Sequence, residues 1–139
     1  MGGVLSESLK PDACIQVSHV ERMKIYLAEL GKMEMSSVQG GTRPVLALQN
    51  NTGNRNAPTV IVAPITSKLE KPHLPTHVVL GQSNLPKQSM VLLEQVMTID
   101  QKLLIKEYGE IGEQDRKSVE RALKVSFGLL HSKKKRRRE

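Results

Sequence analysis

Two stretches of this chain carry residue types that could do chemistry together: QGGTRPVLALQNNTGN, from Gln39 to Asn54, and PTVIVAPITSK, from Pro58 to Lys68. Each holds a run dense in Val, Leu, Ile and Ala, and each run has a polar group at one end. The first begins at Arg43 and the second closes on Thr66. If the runs are paired strands, a guanidinium and a hydroxyl stand at facing ends, which is how a small barrel presents a cation and a donor to one phosphodiester.

The elements that must position these groups are short. Lys24 to Leu30 reads as a first strand, followed by a loop from Gly31 to Gly41 that is long enough to be functional. Arg43 to Asn50 and Thr59 to Ile65 read as two buried, paired strands, separated by the polar, turn-rich NNTGNRNAP. Further strands are expected at Thr76 to Leu80, Ser89 to Glu94 and Glu107 to Ile111, with a helical turn near Asp100 to Ile105. The last element is a helix from about Glu113 to Leu130. Val119, Ala122, Leu123, Phe127 and Leu130 form one apolar stripe on it, and Glu113, Asp115 and His131 suit the helix dipole. The sum is an α+β chain: a small, partly open antiparallel barrel with a C-terminal helix.

At 139 residues the chain is expected to be one domain with one core. Residues 1–21 read as an N-terminal extension without sustained periodicity, 22–131 as the folded domain and 132–139 as a basic tail. Net charge is +7. Lys133 to Arg138 are all cations, so the tail holds most of the excess. It reads as a solvated charge block, or as a sequence-blind phosphate tether. The single cysteine, Cys14, gives no intrachain disulfide, and no leader or long apolar run stands out. A reducing, cytoplasmic setting without membrane association is expected. The opening MGGVLS fits only the permissive N-myristoylation pattern.

Several chemistries have no support. His19, His73, His77 and His131 lack paired ligand spacing, so no metal is expected. There is no Walker loop, GxGxxG or GxSxG, so no nucleotide cofactor or elbow-type hydrolase is implied. Aromatics make up 2% of the chain, too few for base-stacking platforms. Contacts to RNA would rest on hydrogen bonds and cations.

At QGGTRPVLALQN, PTVIVAPITS, KPHLPTHVVL and SMVLLEQVMTID the sequence resembles the MazF/PemK family of toxin–antitoxin endoribonucleases, its Gram-positive branch in particular. The four blocks occur in family order across about residues 24–130. The resemblance implies an SH3-like barrel of MazF/CcdB type and a homodimer. It also implies metal-independent cleavage of single-stranded RNA at a short sequence, and neutralisation by a cognate antitoxin protein. The family's catalytic arginine and threonine fall on Arg43 and Thr66. Attack by the ribose 2′-OH would leave a 2′,3′-cyclic phosphate and a 5′-hydroxyl. A fixed guanidinium and a hydroxyl donor stabilise the charge that builds on phosphorus, while a group with a pKa above ~12 is a poor base. The RNA-lining segments of the family fall on Gln39, Asn50, Ser67, Lys68, Pro75, Thr76, His77, Glu94 and Gln95. Asn, Gln and Glu side chains can read unpaired base edges.

Outside this motif, Arg43 would ordinarily be a strand-end arginine paired with a carboxylate, and Thr66 a strand-terminal cap. The chain also departs from the family pattern. Val38 stands where a glutamate is common, so Glu34, another group or electrostatics alone must serve. Met23-Lys24 replaces a usual Gly-Asp, and Met97 a basic residue. Two other functions compete: a catalytically impaired RNA- or antitoxin-binding relic, and a protein-directed toxin like the CcdB gyrase poisons. The latter depend on a tryptophan near the C-terminus, which this chain lacks.

Overall fold

The uninterrupted apolar runs have a direct structural cause: the sheet they build is covered on both faces. The structure, a computed structural model, describes residues 17–31, 40–69 and 74–131. Strands β1 (Lys24–Glu29), β2 (Thr42–Ala47) and β3 (Thr59–Thr66) form an antiparallel meander. Their alternate residues divide between two clusters. Ile25, Leu46, Ala63 and Ile65 point to one, and Tyr26, Val45, Val60 and Val62 to the other.

Strands β4 (His77–Val79), β5 (Met90–Leu92), β6 (Met97–Asp100) and β7 (Leu104–Glu110) complete a seven-stranded sheet. The path runs β4-β5-β3-β2-β1-β7, and β6 also pairs with β3. The eight residues of β3 share one edge between two partners, with β6 against Thr59 to Val62 and β5 against Ile65 and Thr66. The second cluster draws on β1, β2, β3, β6 and β7 and is enclosed by the curl of the sheet. The path does not close on itself, so the barrel is open, as expected.

Strand β6 is an element the sequence reading lacks. Its burial alternates half-buried and exposed, so it shows no apolar run. NNTGNRNAP, expected to be a turn-rich connection, forms a short helix, α1 (Asn51–Asn56). Asn50 caps it, accepting from Gly53 N at 2.8 Å. Asn54 is 5% exposed and bonds Gln49 O and Asn51 Oδ1. The helix is held by amide hydrogen bonds and carries no apolar periodicity.

Helix α2 (Glu113–Ser126) covers the first cluster with Val119 and Ala122. It stops four residues before the expected Leu130. Gly128, at φ 78°, and Leu129 return their N–H groups to Val125 O and Lys124 O, a Schellman closure. Phe127 therefore falls off the stripe and is 59% exposed. Among the described residues no helix is long and apolar enough to cross a membrane. Val20, in the stretch read as an extension, is buried in the second cluster. The rest of that extension and the basic tail lie outside the described residues, apart from Val17 to Glu21.

Candidate nucleic-acid interface

Arg43 is the second residue of β2 and Thr66 the last of β3. Both line one cavity of about 300 Å³, together with Thr42, Ser67, Lys68 and Lys87. Strand alternation puts Arg43 and Thr66 on one face and Thr42 and Ser67 on the other. The cavity lies at the end of the paired region, so residues of both faces reach it.

Arg43 donates Nε–H to Gly40 O at 2.7 Å, which fixes the plane of the guanidinium. Its Nη groups have no carboxylate partner among the described residues. Burial lowers its pKa from the ordinary value, and a guanidinium stays protonated at neutral pH. The Thr66 side chain is nearly buried. Its Oγ1 accepts from Lys68 N at 3.1 Å, which leaves the O–H as a donor. The charged groups in the lining are Arg43, Lys68 and Lys87, all cations. Glu29 comes near through the Thr42 hydroxyl, which donates to its carboxylate.

Thr76, His77 and Glu94 form a second group. The Thr76 hydroxyl donates to Glu94 Oε1 at 2.9 Å, and His77 Nε2 lies 2.9 Å from Glu94 Oε2. Leu74 N–H points at His77 Nδ1 at 3.2 Å. An Nδ1 that accepts assigns the ring proton to Nε2, the nitrogen facing the carboxylate. Burial, the largest single influence on Glu94, raises its pKa. The bonds from His77, its own backbone and Thr76 outweigh that, and the carboxyl sits below its usual range.

The expected site residues thus fall in two groups. Arg43, Thr66, Ser67 and Lys68 are at the cavity. Thr76, His77 and Glu94 are joined to one another, and Pro75 stands with His77 in a groove beside α2. Strand β5 links the groups, since its Met90 pairs with Thr66 and its Leu92 with His77. Gln95 ends the 3-10 turn that carries Glu94. Asn50 is not at the cavity: it lies seven residues along from Arg43, roughly 20 Å at strand rise, capping α1. Gln39, Val38 and Glu34 lie outside the described residues, as do His73 and Cys14. Among the described residues no three His, Cys, Asp or Glu stand close enough to hold a metal ion.

The cavity also has a wall that the sequence reading did not find, made of Leu85, Pro86, Lys87 and Ser89. Asp115 of α2, 7% exposed, positions it by accepting Gly81 N at 2.9 and 3.0 Å and Gln82 N at 3.1 Å. Asn84 Nδ2 adds a bond to Tyr108 O at 2.7 Å. The available signal was a lysine in a Pro-flanked polar loop, which says nothing about where the loop lies.

A family model described as "PemK-like, MazF-like toxin of type II toxin-antitoxin system" matches residues 21–127. Among solved structures, the chain is similar to an endoribonuclease in complex with its cognate antitoxin from a mycobacterial species. Identity is 25% and the TM-score 0.68, over 81% of this chain and 99% of that one. It is also similar to the Mycobacterium tuberculosis toxin MazF-mt6, at 27% identity and TM-score 0.64, over 77% and 98% of the two chains. MazF from Deinococcus radiodurans shares the fold at 20% identity and TM-score 0.67, over 81% and 99%.

Proposed function

Because this chain belongs to the PemK-like, MazF-like toxin family of type II toxin–antitoxin systems, we propose that it is a sequence-specific, metal-independent endoribonuclease of single-stranded RNA. The observation that carries this reading is the joint placement of Arg43 and Thr66 in one cavity whose charged lining residues are all cations. A phosphodiester seated there meets a fixed guanidinium and a hydroxyl donor. Attack by the adjacent 2′-OH forms the 2′-O–P bond, its proton passing to solvent, and breaks the bond to the 5′-oxygen, which takes up a proton from solvent and leaves as a 5′-hydroxyl. Negative charge grows on the phosphoryl oxygens as it does so. Arg43 and Thr66 are aimed at that charge before it develops, which is the condition under which such donors lower a barrier. Lys68 and Lys87 beside Arg43 add to this charge stabilisation.

We assign the Thr76, His77 and Glu94 group, with Pro75, Gln95, Ser67 and Lys68, to contacts with the bases and backbone flanking the cleaved bond. Gln39 and Asn50 belong to the same proposal by family position. The similarity to an endoribonuclease in complex with its cognate antitoxin supports a cognate antitoxin as partner. The exposed Phe127 and Leu129 at the end of α2 support a homodimer, in which apolar groups left bare on one chain become covered.

The test incubates the purified chain with long mixed-sequence RNA in excess EDTA and maps the new ends. Cyclic phosphate upstream and 5′-hydroxyl downstream, at one recurring short sequence, are expected. Cleavage that requires Mg²⁺ overturns the mechanism. Val38, at the position where the family resemblance implies a glutamate, favours one other reading: a binder that holds RNA or antitoxin without cutting. Tight RNA binding with no cleavage at any enzyme concentration selects that reading.

A further inference from the structure

Two threonines line the cavity, and their hydroxyls are committed in opposite senses. Thr66 Oγ1 accepts from Lys68 N, so it has a proton to give. Thr42 Oγ1 donates to Glu29 Oε1, so it has only lone pairs to offer. The sheet builds this in. Glu29 and Thr42 are cross-strand partners at the end of the β1–β2 ladder. Just beyond them Leu30 N bonds Gly41 O at 2.8 Å and Gly41 N bonds Gly31 O, which extends the pairing past the ladder. No lysine, arginine or histidine pairs with Glu29 among the described residues, so its carboxylate is left to the Thr42 hydroxyl.

The other polar side chains of the lining are chiefly donors. Arg43, Lys68 and Lys87 can only donate. Ser89 gives its proton to Lys87 O but is buried, and the Ser67 hydroxyl can turn to serve as donor or acceptor. Thr42 is exposed. It is thus the lining side chain that is both open to a ligand and held as an acceptor. The oxygens of a phosphodiester are acceptors themselves and have nothing to give it. In RNA the donor beside the phosphate is the ribose 2′-OH, which DNA lacks.

We infer that Thr42 accepts a hydrogen bond from the 2′-OH next to the cleaved phosphate, and that Glu29 is the positioning residue that keeps the Thr42 proton turned away from it. The inference rests on the ribonuclease reading. It gives the cavity a means of choosing ribose over deoxyribose in binding, apart from the need for a 2′-OH in the reaction. It also holds the attacking oxygen by its proton, with a lone pair left free for phosphorus.

Oligonucleotides of the mapped cleavage sequence, each with one 2′ replacement at the scissile nucleotide, test it. A 2′-amino group keeps a donor and a 2′-fluoro group keeps none. Neither offers the hydroxyl that cleavage needs, so both can be compared as ligands. The wild-type chain should bind the 2′-amino strand about fivefold more tightly than the 2′-fluoro strand, the worth of one hydrogen bond. Thr42→Val, at an exposed strand position that suits a β-branched residue, should abolish the preference, and Thr42→Ser should keep it. Glu29→Ala frees the hydroxyl to donate, so the preference should fall with Thr42 intact. A merely structural Glu29 would weaken both strands alike and leave their ratio unchanged, which overturns its positioning role. Equal binding of the two strands by the wild-type chain, or a preference that survives Thr42→Val, overturns the inference while RNA cleavage still stands. A wild-type chain that cuts no RNA overturns the ribonuclease reading and this inference with it.

Discussion

Arg43 and Thr66 both lie just past the end of the β2–β3 ladder, and both line the same cavity. The register pairs Ala47 with Val62, Leu46 with Ala63 and Val45 with Pro64, and Arg43 and Thr66 each lie two residues beyond that last pair. The paired strands below them are fully buried, so the two groups are anchored on the core.

Replacing Arg43 by alanine should lower single-turnover RNA cleavage by about 10²–10³-fold, the usual cost of one preorganised donor. The melting temperature should barely move, since its recorded bond is one to Gly40 O. Arg43→Lys should recover little, because a point charge does not reproduce a planar fork. Cleavage rates beside a thermal melt decide the matter, and an undiminished rate in Arg43→Ala removes the arginine from the mechanism.

Thr66 separates hydroxyl from shape. Thr66→Ser keeps the acceptor for Lys68 N and the donor for phosphate, and should retain most of the cleavage rate. Thr66→Val is nearly isosteric and should lose about 10²-fold in rate with RNA affinity little changed. Equal rates in the two variants would leave Thr66 a strand cap only.

Glu94 has a defined response to acid. Its carboxyl is held below the ordinary value, so the unfolded chain binds this proton first as pH falls. The stabilisation is complete above the unfolded value, ~4.3, and is lost as pH drops through the lower folded value. Thr76→Val removes one of the bonds to the carboxylate and should move the Glu94 titration upward, read by carbon-detected NMR. An unmoved titration in that variant would count against the bond.

Asp115 should matter to both stability and RNA affinity. Asp115→Ala strands the Gly81 and Gln82 N–H groups and should cost about 2–4 kcal/mol, since bonds to a charged acceptor are worth more than neutral ones. It also frees the loop that carries Lys87. RNA binding should weaken more than in Lys87→Ala alone, measured below the melting temperature of the variant.

Met23 carries a left-handed conformation, φ 71°, and is fully buried. Its N–H bonds Ala47 O and its C=O accepts from Ile111 N, so β1 is fastened between β2 and β7 at this point. At this left-handed position, which favours glycine, the chain has a large side chain that strains the backbone and fills the core. Met23→Gly recovers roughly 1–2 kcal/mol of strain and forfeits roughly 2–5 from the emptied site. A net loss of about 1–3 kcal/mol is expected in denaturant titration, and a gain would show that strain outweighs packing.

What the sequence disclosed and what it hid follow from the same physics. Strands β1, β2 and β3 and helix α2 were legible because burial on two faces, or on one stripe, forces long apolar runs or a clear period. Strand β6 was hidden by its half-exposed position, and helix α1 by its reliance on Asn50, Asn54 and Gln49 amides. Arg43 and Thr66 were legible as motif residues at strand ends. Lys87 was not, because only the bond from α2 to a distant loop brings it to the cavity.

Asp115 also sets the order in which the cavity can exist. During synthesis β2 and β3 emerge together and can pair early, but the wall carrying Lys87 is anchored by a residue of the last helix. Strand β1 likewise waits for β7, its partner some eighty positions later in the chain. Long-range pairing of this kind slows folding. The growing chain therefore exposes Arg43 and Thr66 well before the third side of their pocket is in place, and that pocket is complete only once α2 has been made.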